Sequence, residues 1–121
     1  MKLCIPVLED KGLDSRISEH FGGSPFFLLF DSESKAANCI ANSNQHHSHG
    51  QCQPMHVLAG YKPNAVVCRG MGQGAVAKLN AAGIKTYLGK GQTARELIDE
   101  FTAGRLPVLT PDKACAHHGH C

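Results

Sequence analysis

The sequence predicts a single α/β domain built on a mixed sheet with helices packed on its faces. Three observations carry that prediction. The first 41 residues hold apolar runs joined by short turns, as a hairpin requires. From residue 65 onward, strand-like runs alternate with helix-like segments, the signature of parallel crossovers. The chain has 121 residues, enough for one buried core but not two.

Taken in order, Leu3-Cys4-Ile5-Pro6-Val7-Leu8 reads as a buried strand, and Glu9 to Ser15 as the polar loop leaving it. His20-Phe21-Gly22-Gly23-Ser24-Pro25 bends the chain into a second strand, Phe26 to Asp31. Lys35 to Ala41 is the third, paired with the second through the turn Ser32-Glu33-Ser34. A helix is expected across Pro54 to Gly60. The strand Ala65-Val66-Val67-Cys68 follows, then a glycine turn from Gly70 to Gly74, then a helix from Ala75 to Ala82 that Gly83 ends. Ile84 to Leu88 is the next strand. Thr93 is an N-cap residue with Glu96 three positions on, so a last helix is expected from Ala94 to Ala103, stopped by Gly104. Beyond it, Leu106-Pro107-Val108-Leu109 is a short extended edge, and Pro107 and Pro111 discourage another helix. The domain organisation expected is a folded unit over residues 1–106 and a flexible Cys/His-rich tail over residues 107–121.

Composition narrows the function. The net charge is +2, with 6% aromatic residues and no tryptophan, which leaves neither a basic stripe nor stacking platforms for nucleic acid. No apolar run is long enough for a membrane span, and the opening residues are too short and wrongly flanked for a signal peptide, so a cytoplasmic protein is expected. In that compartment the six cysteines are thiols or metal ligands before they are disulfides. Cys4 reads as a small buried hydrophobe, and Cys39 as a weaker case of the same.

Six of the eight histidines lie in two seven-residue windows, residues 46–52 and 115–121, and each window carries cysteine. Neutral imidazole and thiolate are the protein groups that bind soft and borderline transition metals, and the interleaved Gly and Ser allow tight turns. His46, His47, His49 and Cys52 in the first window, and Cys115, His117, His118, His120 and Cys121 in the second, are therefore the candidate metal ligands. Solvated polar loops have the same composition, and neither window has zinc-finger spacing.

A second candidate site is the turn Cys68-Arg69-Gly70-Met71-Gly72-Gln73-Gly74, which joins the end of a strand to the start of a helix. Open α/β sheets bind ligands at such places, and the free amides of a helix start favour an anion. It is a poor dinucleotide fingerprint, because the third glycine comes too early and the next strand ends without an acidic residue. The helix start and Arg69 can lower the pKa of Cys68, and it is an equal alternative that this cysteine simply packs at the end of a buried strand. His20 stands in the loop leaving the first strand, which can lie at the same end of the sheet.

The opening strand, His20-Phe21-Gly22 before an aromatic strand, the histidine loop, the Cys68 to Ala75 turn and Ala82-Gly83-Ile84-Lys85-Thr86-Tyr87 together resemble the dinitrogenase iron-molybdenum cofactor biosynthesis family. That family includes NifX, the C-terminal region of NifB, NafY and the orange protein of sulfate reducers. The resemblance implies a ribonuclease-H-like three-layer α/β/α fold with a five-stranded mixed sheet, three strands antiparallel and the later ones parallel. It also implies non-catalytic binding, carriage or assembly of an iron-sulfur or molybdenum-iron-sulfur cluster, in exchange with a cluster donor or acceptor protein. His20, Cys68, Arg69, Gly70, Met71, Gly72 and Gly74 are then the cofactor-binding residues. The Cys/His tail departs from the family's core pattern. It sustains the alternative of a zinc, nickel or copper protein for delivery, buffering or sensing, and a third reading in which the windows hold a homodimer together through shared metal. No nuclease is expected, because two-metal chemistry needs carboxylates on the central strands and the first strand offers Leu3, Cys4, Ile5 and Val7 instead.

Overall fold

The computed structural model describes residues 1–19, 21, 24–41 and 61–109. Five strands form one sheet: β1 (Lys2–Val7), β2 (Phe26–Asp31), β3 (Ala37–Ala41), β4 (Ala65–Cys68) and β5 (Lys85–Leu88), in the order β3-β2-β1-β4-β5. β1 runs antiparallel to β2 and β2 to β3, whereas β4 is parallel to both β1 and β5. This is the mixed α/β sheet the sequence implied. Two α-helices lie among the described residues, α1 (Gln73–Ala81) and α2 (Ala94–Thr102). The helix expected across residues 54–60 lies outside them.

Side chains alternate across a strand, so the sheet divides its apolar residues into two clusters, one on each face, where the chain length suggests a single core. On one face Cys4, Phe27, Leu29, Val66 and Cys68 pack with Met71 and with Val76 and Leu79 of α1. On the other Leu3, Ile5, Val7, Leu28, Phe30 and Val67 pack with Ala94, Leu97 and Ile98 of α2. β1 is buried on both faces from Leu3 to Val7, which explains its unbroken apolar run.

Pro6 sets the shape of the sheet's functional end. It lies in a central strand, where a missing N–H would break a ladder. A residue's N and O point the same way in a strand, and the Pro6 carbonyl accepts from Ser18 N at 3.0 Å on the side away from β2. β1 pairs with β4 only at Leu3 and Cys4, so the missing donor falls where the two strands have already parted. The vacated edge is taken by residues 16–18: Ile17 bridges Val7, and Arg16 bridges Thr93 beyond β5.

Several element ends differ from expectation. β3 starts at Ala37, not Lys35, because Lys35 has φ 62° and closes the hairpin turn instead of extending it. α1 starts at Gln73 with Gly72 as its N-cap, so Gly74 belongs to the first helical turn and the glycine turn is shorter than expected. Gly83, with φ 82°, ends that helix as anticipated. The cap of α2 is also as read, since Thr93 Oγ1 accepts from Glu96 N at 3.3 Å. The Glu96 carboxylate reaches back to Gln92 N instead of the Thr93 amide. Residues 107–109 lie along the outer edge of β5: Leu88 N donates to Pro107 O at 3.0 Å, and Leu109 N to Thr86 O at 2.8 Å.

Thr86 is fully buried, and its hydroxyl donates to Leu109 O at 2.7 Å. Thr86→Val keeps the shape and removes the donor, leaving that carbonyl short of a partner. The expected loss is about 1–3 kcal/mol in urea unfolding; an unchanged midpoint would show that residues 107–109 do not dock on β5 in solution.

Candidate functional site

The parting of β1 from β4 opens a cleft of about 340 Å³ at the C-terminal end of the parallel strands. Its walls come from Leu8 after β1, from Arg16, Ile17, Ser18 and Glu19 in the loop that follows, from Arg69 after β4 and from Gln92 after β5. This is the end of the sheet at which α/β folds take ligands.

Two arginines line it. Arg16 is held by Glu9, with Nε 3.2 Å from Oε2 and Nη2 3.4 Å from Oε1, and its backbone N donates to Oε2 at 3.2 Å. Those bonds, the side-chain one foremost, keep the Glu9 carboxyl below the usual carboxylate range. Arg69 is exposed and has no ion pair among the described residues. The loop beyond β5 is fixed from behind: Glu100 Oε1 accepts from Lys90 N at 3.3 Å and from Gly91 N at 3.0 Å, and Gln92 O accepts from Ile17 N at 2.9 Å.

The glycine turn borders the Arg69 side. Gly70 and Gly72 are half-buried, and Met71, 1% exposed, anchors the turn in the core. A Cβ on Gly74 would meet nothing within 4 Å, so packing does not demand glycine there. The free amides of the α1 start lie in this stretch.

Of the two readings of Cys68, the structure supports packing over a lowered pKa. Its side chain is fully buried, with Sγ 3.7 Å from Tyr87 O, and burial pushes the thiol up to about 12 against a small opposing effect of the Gly70 amide. Desolvation outweighs the Gly70 amide, and Arg69, exposed at the cleft, does not offset it. Cys4 shares this core and is shifted the same way, by burial first and then by its neighbour Cys68.

Of the residues singled out from the sequence, the structure brings Arg69 to the cleft, sets Gly70, Gly72 and Gly74 along the adjoining turn and helix start, and places Cys68 and Met71 in the core behind it. His20, His46, His47, His49, Cys52, Cys115, His117, His118, His120 and Cys121 lie outside the described residues. Among the described residues no three His, Cys, Asp or Glu side chains group to hold a metal. Arg16, Ser18, Glu19 and Gln92 were not anticipated. The available signal was Pro6, which marks where pairing in a central strand must end, with a polar loop following.

Comparison with known proteins agrees with this fold. The family model described as dinitrogenase iron-molybdenum cofactor matches residues 1–104, and the chain belongs to that family. Its role is binding or carriage connected with biosynthesis of that cofactor, and its members are generally non-catalytic. A Thermotoga protein provisionally described as NifB has a solution structure that superposes with a TM-score of 0.78 at 29% identity, over 90% of this chain and 93% of that one. The apo orange protein of Desulfovibrio gigas superposes with a TM-score of 0.80 at 28% identity, over 89% and 92% of the two chains. A protein of Methanocaldococcus jannaschii described as a dinitrogenase shares the fold, with a TM-score of 0.67 at 22% identity over 90% and 94%. Curated proteins gave no significant sequence match. No helix among the described residues is long and apolar enough to cross a membrane.

The two buried thiols make stability depend on alkaline pH. Both folded-state values lie above the ordinary 9.0, so the contribution is complete below about pH 9 and is lost as pH rises, for Cys68 through about 12. Between about pH 9 and its folded-state value each thiol should add a slope of up to about 1.4 kcal/mol per pH unit, which levels off beyond. Urea unfolding of the wild type and of Cys4→Ala/Cys68→Ala at rising pH checks this: the variant's decline should be shallower, and equal declines would contradict the burial of the thiols.

Proposed function

We propose that this protein binds and carries an anionic iron-sulfur or molybdenum-iron-sulfur cluster as cargo in the cleft between the ends of β1 and β4. The observation that carries the reading is the convergence of Arg16 and Arg69 on one cleft beside a glycine turn at a helix start. Two arginines, a serine and a glutamine suit an anion, and they outnumber the one opposing carboxylate, Glu19, in the same lining.

The described residues of the cleft fit the cluster's charge and not its appetite for soft ligands. That part falls to residues near it in sequence: His20 follows Glu19 directly, and the loop with His46, His47, His49 and Cys52 leads out of β3. Cys68 supports the turn from behind, and bonding to its sulfur would require displacing the Gly70 amide. Cys115, His117, His118, His120 and Cys121 form an accessory capture tail in this reading, past residues 107–109, which dock on β5 and so belong to the folded unit and not to the tail expected from residue 107. The protein acts without catalysis, in the cytoplasm, between a cluster donor and an acceptor. We also assign the sheet to the ribonuclease-H-like arrangement, a likeness of shape that confers no nuclease chemistry.

The test is iron, sulfide and molybdenum analysis with a visible spectrum of untagged protein purified without oxygen. The expected result is a broad chromophore that Arg16→Ala and Arg69→Ala each weaken about tenfold or more in affinity, the scale of one charge-assisted hydrogen bond. Colourless protein with one equivalent of zinc, nickel or copper, lost when residues 115–121 are deleted, would overturn the proposal.

A further inference from the structure

Glu9 stands outside the cleft, yet its carboxylate is tied to Arg16 at three points: two on the guanidinium and one on the backbone. The side-on grip uses Nε and one hydrogen of Nη2, and it leaves the end-on fork of Nη1 and Nη2 uncommitted. The carboxylate is sheltered, at 21% exposure, while the guanidinium reaches out, at 67%. The backbone of Arg16 is pinned too, because its carbonyl accepts from Leu8 N at 2.8 Å and the residue bridges Thr93. Lys11 Nζ lies 3.8 Å from Glu9 Oε1, so the carboxylate's charge is shared between two cations and does not cancel that of the cleft.

From this geometry we infer that Glu9 is a positioning residue, holding Arg16 by one edge so that the other is set in advance for an anion in the cleft; the inference rests on the anion-cargo reading above. An arginine fixed by its neighbours loses less rotamer freedom on binding than one waving in solvent. The alternative role for Glu9, a nearby negative charge that repels the cargo, predicts the opposite sign. Removing the charge would then tighten binding, by an amount that added salt suppresses.

Titration with tetrathiomolybdate, a coloured molybdenum-sulfur dianion, separates the two. Glu9→Gln should weaken its binding about three- to tenfold at both low and high salt, since the loss is one of pre-organisation. The same variant should lose the slowly exchanging Arg16 Nε–H signal in NMR spectra while the amide spectrum outside residues 8–18 is unchanged. In an Arg16→Lys background, which has no fork to orient, Glu9→Gln should cost nothing further, giving a non-additive cycle. Unchanged or tighter binding in Glu9→Gln, with Arg16→Ala still weakening it, would overturn the positioning role alone. Binding indifferent to both Arg16→Ala and Arg69→Ala would overturn the cleft reading, and the positioning role with it.

Discussion

The functional end of this molecule depends on β1 being a central strand for only part of its length. Up to Cys4 it has neighbours on both sides, and beyond that β4 moves away. Pro6 makes the separation compatible with a satisfied backbone, because its missing donor faces the parted side and its carbonyl still takes Ser18 N. Everything in the cleft follows from that gap. Residues 16–18 fill the vacated edge, and in doing so bring Arg16 from the β1 loop and Gln92 from beyond β5 to the side of β4, where Arg69 emerges.

The same arrangement divides the chemistry. The soft sulfur atoms of Cys4 and Cys68 are sealed in one core and held as neutral thiols, so they stabilise the sheet through burial. The cleft sets two arginines against the single carboxylate of Glu19, beside Ser18, Gln92 and the apolar Leu8 and Ile17. On the proposed function, an anion is attracted and oriented by the cleft, and metal bonding is assigned to the histidine-bearing segments adjoining it in sequence. Carriage benefits from this separation: electrostatic holding is easily reversed, and a few soft bonds can be exchanged with the next protein. Membership of the dinitrogenase iron-molybdenum cofactor family is consistent with such a role.

Much of the fold was legible because local signals were strong. Phe26–Asp31 and Ala65–Cys68 are bounded by turn residues, and both strands have the limits the sequence suggests. Thr93 and Glu96 fix the start of α2 by a side-chain bond that can be read as a pattern. The start of α1 was less legible, since Gly72 caps without a side chain and Gly74 looks like turn while lying in the helix. The site was legible only in part. The end of β4 and Arg69 could be placed from the strand-turn-helix pattern, but Arg16 could not, because its position depends on a long-range bridge to Thr93 that leaves no periodicity. The role of Cys68 stayed open between a lowered thiol and simple packing for a related reason. Sequence shows which charge is adjacent, and burial decides whether that charge matters.

The most direct test of the central claim is amide NMR mapping of the protein as tetrathiomolybdate is added without oxygen. The account predicts that the largest shifts fall on Leu8, residues 16–19, Arg69 and Gln92, the walls of the gap that Pro6 permits. Shifts confined to residues 115–121, with the ends of β1 and β4 unmoved, would contradict it.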